Sequence, residues 1–234
     1  MAVSQKVIVF VSDATLTALK ELDYTLYALK GFETTNAQGK ALVWGWSSTY
    51  LENTTFISTP EYQAYIAAAD QLIGNGAVIQ SSVVIDVTLG DIVTFTDPQT
   101  PLKVTSGGYA QGVTIVNTST TPYTAGLNAR SMEAAGEFSP VAGVPLYGLA
   151  EAIIAPVDKF LVTFSTAGTL AGQPLPYSMT QSLLIDMTGQ TQLEATFDIN
   201  TGWSFDNAPW GQTVPAGSDL FALLVKETPL MPEV

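Results

Sequence analysis

Along most of the chain, apolar and polar residues alternate with a period of two, and the alternating runs are rich in β-branched side chains. That period puts successive side chains on opposite faces of an extended backbone, so each run reads as a strand with one face toward a core. Segments 6–12 (KVIVFVS), 24–31 (YTLYALKG), 41–47 (ALVWGWS) and 80–88 (QSSVVIDVT) follow it in the first half. Segments 112–117, 123–132, 159–165, 181–188, 193–199 and 219–226 follow it in the second. Turn-forming residues punctuate them, among them Asn75-Gly76, Gly107-Gly108 and Asn200-Thr201-Gly202. Helical spacing is confined to two places. Leu16, Leu19 and Leu22 follow Asp13, which the pattern makes an N-cap, and alanines cluster over 61–73. The prediction is a mostly-β chain of sandwich or barrel type with one or two short helices.

The pattern also echoes itself. QSSVVIDVT at 80–88 returns as QSLLIDMT at 181–188, with one residue dropped. Upstream, YTLYAL at 24–29 has a counterpart in YTAGL at 123–127, and VIVFVS at 7–12 has a looser one in VTIVNTS at 113–119. Tyr24 precedes Gln80 by 56 positions, and Tyr123 precedes Gln181 by 58. Echoes in one order at near-matched separation predict a tandem duplication with a period of roughly 100 residues. Residues 1–100 would form one antiparallel β-sandwich-like unit and residues 108–234 a second. The polar stretch 96–108, with Asp97-Pro98, Thr100-Pro101 and Gly107-Gly108, would be the linker. The alternative is that similar strands recur by chance in any β-rich chain.

Composition narrows the chemistry. Hydrophobic residues make up 47% of the 234, which excludes disorder. Charged residues make up 12%, about half the usual share for a globular domain. The balance of 21 acidic and 8 basic side chains gives a net charge of -13. The basic residues are scattered, so a nucleic acid would meet a repelling field and no local patch, and none is expected as a partner. With neither histidine nor cysteine, Ser-His-Asp and Cys-His machinery, disulfides, thiolate metal sites and imidazole ligands are all excluded. No phosphate-binding glycine motif is present, and no cofactor is expected. The N-terminus lacks the pattern of a signal peptide, and the longest apolar stretch, 141–157, is broken by Pro145, Gly148, Glu151 and Pro156. The chain as written is expected to be cytosolic, or extracellular if a leader has been removed.

Three groups of residues could carry function. Asp86 and Asp186, at matching places in the echoed segments, are the first candidates for a carboxylate-based hydrolase of glycosidic bonds, although an aspartate before a turn more often bonds its own backbone. Asp198, Asn200 and Asp206 place oxygens at intervals around Gly202, a partial likeness to a calcium loop that lacks the closing glutamate; a plain hairpin turn fits the same residues. Trp44, Trp46 and Tyr50 form an aromatic row that, if exposed, would suit a glycan or a membrane interface in a lectin-like or toxin-like protein, and if buried is core. The leading expectation is a non-catalytic, β-rich binding or self-assembling protein, not an enzyme. Its first partner would be further copies of itself, because few charges are available to blunt its strand edges.

Overall fold

Burial along each strand shows how the alternation becomes structure. In the computed structural model, which describes residues 4–69, 77–97, 99–130 and 137–228, the first run is strand β1 (Gln5–Val11), with Val7, Val9 and Val11 buried. Helix α1 (Asp13–Glu21) follows, then β2 (Thr25–Thr34), β3 (Lys40–Ala41), β4 (Val43–Ser47), β5 (Asn53–Ser58) and β6 (Tyr62–Ala68). Next come β7 (Val83–Val87), β8 (Asp91–Phe95), β9 (Lys103–Ser106), β10 (Val113–Asn117), β11 (Tyr123–Arg130) and β12 (Phe138–Leu146). The long strand β13 (Glu151–Ser165) leads to β14 (Ser182–Asp186), β15 (Gln192–Asp198), β16 (Gly202–Ser204) and β17 (Gly211–Val214). Helix α2 (Leu220–Leu224) and β18 (Val225–Glu227) close the described chain. The chain is mostly β, consistent with a sandwich-like class.

Three sheets share one core. The first runs β16-β15-β1-β5 and the second runs β3-β12-β11-β6-β7. The third runs β17-β14-β13-β10-β8-β9, with β2 also paired to β13 and carrying β4 and β18. A single hydrophobic cluster joins Val9 and Ala195 of the first sheet, Leu127 and Val144 of the second, and Leu29 and Phe164 of the third.

The partners of these strands differ from the two-unit expectation. Every sheet draws strands from both sides of residues 96–108: β1 pairs β15, β6 pairs β11, and β2 pairs β13. Within the stretch expected as a linker, Lys103–Ser106 is strand β9, hydrogen-bonded to β8; Pro98 lies outside the described residues. The echoed strands also keep different company. β7 pairs β6 in one sheet, whereas β14 lies between β13 and β17 in another. The duplication is not confirmed. Nor are all pairings antiparallel, since β1–β15, β8–β10 and β2–β18 run parallel.

Local expectations fare unevenly. Helix α1 forms where expected, but its N-cap is Ser12, whose Oγ accepts the Thr15 N–H at 3.3 Å, one residue earlier than Asp13. The alanine-rich segment 61–73 is strand β6 over Tyr62–Ala68, and 70–73 lie outside the described residues. Its neighbour β11 explains the override. Tyr65 faces Gly126, and its hydroxyl donates to the Ala142 carbonyl at 2.9 Å across a gap that only a glycine leaves open. Segment 219–226 is helix before it is strand. The Asp219 carboxylate accepts the Phe221 and Ala222 N–H groups, which starts one turn that buries Leu220 and Leu224. Of the expected strand 123–132, residues 131 and 132 lie outside the described part.

Candidate functional site

The centre of the largest sheet is irregular on both sides of β2, and the irregularity builds a site. Against β13, Phe32 pairs Pro156 and Lys30 pairs Phe160, so residues 157–159 bulge out opposite Gly31. A Cβ on Gly31 would press on Lys159 Cβ and Val157 Cγ2 at 3.0 Å, so the missing side chain is what admits the bulge. Against β4, Ala28 pairs Gly45 and Leu29 pairs Val43, which leaves Trp44 as a bulged residue. Lys30 lies on the strand between these two bulges.

Lys30 is 4% exposed, a rare setting for a lysine. Its Nζ donates to Ser58 Oγ at 2.5 Å. The ammonium also lies 5.3 Å from the Trp44 ring, 5.4 Å from Phe160 and 5.7 Å from Tyr62. Three ring faces at that range stabilise a cation that has lost most of its water. Burial nevertheless pulls the amine down from 10.5 to about 8, with the charge of Asp158 partly opposing it. Tyr62 is pushed the other way, up to about 12, first by burial and then by Asp158. At neutral pH Lys30 is therefore a fixed cation. A general base would need the free amine, which both the rings and the pH disfavour.

These groups open onto a cleft of about 480 Å3. Pro60, Tyr62, Leu89, Pro156 and Val157 give it apolar walls, while Lys30 and Ser58 supply polar atoms at depth and Asp158 is exposed. The turn between β14 and β15 forms another wall through Gly189, Gln190 and Thr191. It is anchored to the bulge by the Met187 N–H, which donates to the Asp158 carbonyl at 2.7 Å. A second cavity, of about 310 Å3, lies between Phe164, Phe197 and Gln181, and no charged side chain lines it.

The residues singled out from sequence are distributed elsewhere. Trp44 and Tyr50 are 1% and 2% exposed, so of the two readings of the aromatic row the core one holds for them and the surface candidate is corrected. The Trp44 indole donates to the Arg130 carbonyl at 3.0 Å, and the Tyr50 hydroxyl donates to the Tyr24 carbonyl at 3.0 Å. Trp46 is half-buried and packs against the same core. Asp86 and Asp186 sit in different sheets. Asp86 accepts from Gln63 Nε2 at 2.9 Å, while Asp186 accepts the Thr188 N–H, and the Thr188 hydroxyl and N–H together hold its carboxyl below the usual range. Asp198 serves the β15–β16 hairpin. Its Oδ1 accepts from the Asn200 and Thr201 N–H groups and its Oδ2 from Thr15 Oγ1, and the two backbone bonds are the largest reason its carboxyl is lowered. Asn200 lies in that turn and Asp206 in the next, with a left-handed φ of 53°. Among the described residues, no group of three or more acidic side chains is gathered to hold a metal.

Sequence reasoning passed over Lys30 as one of eight scattered basic residues. A signal was present: a lone cation inside the apolar run YTLYALKGF, followed at once by glycine. No protein-family model, curated protein or solved structure matches this chain. The site therefore rests on its own geometry. No helix among the described residues is long and apolar enough to cross a membrane.

Proposed function

We propose that this is a non-catalytic binding protein and that its ligand occupies the cleft over Lys30. The observation that carries the reading is a desolvated ammonium, boxed by three rings, at the inner end of a cleft of about 480 Å3. Small-molecule sites span about 300–1,000 Å3 and pair apolar walls with a few fixed polar groups, which is the composition found here. Among the described residues no carboxylate forms an ion pair with Lys30, and a buried cation so placed is a net expense to the fold, which supports a role beyond packing. Leu89, 42% exposed on the cleft wall, offers a direct test. Leu89→Trp should obstruct the cleft and abolish any ligand-induced rise in melting temperature, while leaving the unliganded melting temperature nearly unchanged. A ligand panel spanning acids, amines and neutral compounds that shifts neither protein would refute the reading.

A second reading, self-assembly, is supported by the edge strand β7. Its sequence VVIDV has neither lysine nor proline, β6 is its partner on one side, and Val84 is 47% exposed. Edges with few charges template pairing with another chain, and the one charge in β7, Asp86, is engaged by Gln63 Nε2 of β6. Val84→Lys should convert any oligomer seen by analytical ultracentrifugation to monomer. A wild-type protein that is monomeric at high concentration would end this reading.

A further inference from the structure

We propose that the Lys30 cleft selects a small monocarboxylic acid with a hydrocarbon body, its carboxylate on Lys30 Nζ and Ser58 Oγ and its chain between Leu89, Pro156 and Val157. The inference deepens the binding reading above and rests on it.

An ammonium carries three donors. Ser58 Oγ takes one, and among the described residues the ion pairs are Arg130–Glu61 and Lys226–Glu33, neither of which involves Lys30. Ring faces stabilise the charge but do not replace a hydrogen-bond acceptor in line with an N–H. An acceptor that carries negative charge would complement both the remaining N–H groups of Nζ and its charge. Ser58 fits the same ligand, because its oxygen accepts from Lys30 while its hydroxyl hydrogen stays free to donate to a second carboxylate oxygen.

The charge of the ligand follows from what surrounds the lysine. There is one cation, and Asp158 is close enough to act on its proton affinity. A dianion such as phosphate would meet one cation and one carboxylate, and the other polar lining side chains, Gln5, Ser58, Gln190 and Thr191, carry no charge to match its second one. A cationic ligand is repelled, because Lys30 already fills the aromatic box. A monoanion pairs with the single ammonium and adds the least repulsion from Asp158. Its body must be apolar, since most of the wall surface is apolar and Pro60, Leu89, Pro156 and Val157 offer no side-chain donors or acceptors. The other large cavity has comparable rings but no charged lining, so nothing in it would distinguish an acid from its ester.

Isothermal titration calorimetry on the full chain tests this with three matched probes: hexanoate, methyl hexanoate and hexylamine. Hexanoate should bind more tightly than its methyl ester by roughly ten- to hundredfold, the worth of a charge-assisted hydrogen bond, and hexylamine should not bind. Lys30→Met, which keeps the length of the chain and removes the charge, should bring acid and ester to the same affinity. If that variant does not fold, Ser58→Ala keeps the cation and should weaken hexanoate while leaving the ester unaffected. Equal binding of acid and ester by the wild type, or preference for the amine, would overturn the ligand class and leave the cleft as a binding site. Failure of all three probes, with no response to Leu89→Trp across the wider panel, would overturn the binding reading itself.

Discussion

The amine of Lys30 ties stability to pH in a way that can be worked through. Its proton affinity falls from an ordinary 10.5 to about 8 on folding, because burial disfavours the charged form. Between those two values the unfolded chain binds more protons than the native one, so stability rises with pH. The full difference corresponds to about 3 kcal/mol, and a titration between pH 7 and 9.5 captures about 2 kcal/mol of it. Native Tyr50 and Tyr62 are both pushed up to about 12 by burial, which reverses the slope once unfolded tyrosines ionise near pH 10. The useful window therefore closes just below that point. Urea unfolding of the wild type and of Lys30→Met at intervals from pH 7 to 9.5 isolates the effect. The difference in stability between the two should move by about 2 kcal/mol in favour of the wild type as pH rises, whatever its value at pH 7. A constant difference would mean that the ammonium is solvated in the native protein, and the cleft would lose the desolvated cation on which the ligand argument stands.

Four further outcomes are expected. Gly126→Ala should destabilise the protein by more than about 3 kcal/mol, read as a large fall in melting temperature or loss of soluble protein, because its Cβ would overlap the Ala142 carbonyl and the Tyr65 ring. Trp44→Phe should lower the unfolding free energy by about 1–3 kcal/mol in denaturant, since it strips the Arg130 carbonyl of its indole donor and thins the box around Lys30. Asp198→Ala should cost about 1 kcal/mol by freeing the turn N–H groups of Asn200 and Thr201. Millimolar calcium should leave the melting temperature of both the wild type and that variant where it was. A calcium-dependent rise in the wild type alone would restore the metal loop.

Much of the local structure was legible along the chain. Alternation identified β1, with Val7, Val9 and Val11 inward, and β15, with Leu193, Ala195 and Phe197 inward, because a strand with one buried face writes its period into the sequence. The missing histidine and cysteine removed whole classes of chemistry without reference to any fold. Strands buried on both faces, or built from small residues, were less legible. The alanines of β6 favour a helix in isolation, and only the neighbouring Gly126 and the Tyr65 bond make the extended form the better one. The helical turn at Leu220 was hidden for a similar reason, since one capping carboxylate at Asp219 starts a five-residue helix inside a strand-like pattern that runs over 219–226.

Residue order alone thus determined that the chain is mostly β, where most of its strands run, and which chemistries it lacks. Which strands meet was decided by tertiary structure. Pairings such as β1 with β15 and β2 with β13 join segments more than a hundred residues apart, and period-two patterns carry no address for a partner. The same holds for function. In sequence, Trp44, Trp46 and Tyr50 fit a surface row or a core equally until the sheets close over Trp44 and Tyr50, and Lys30 looks like an ordinary solvated lysine until two bulges and three rings surround it. Desolvation turns that side chain into a candidate site, and it is a property of what packs around a residue rather than of the residues beside it in sequence.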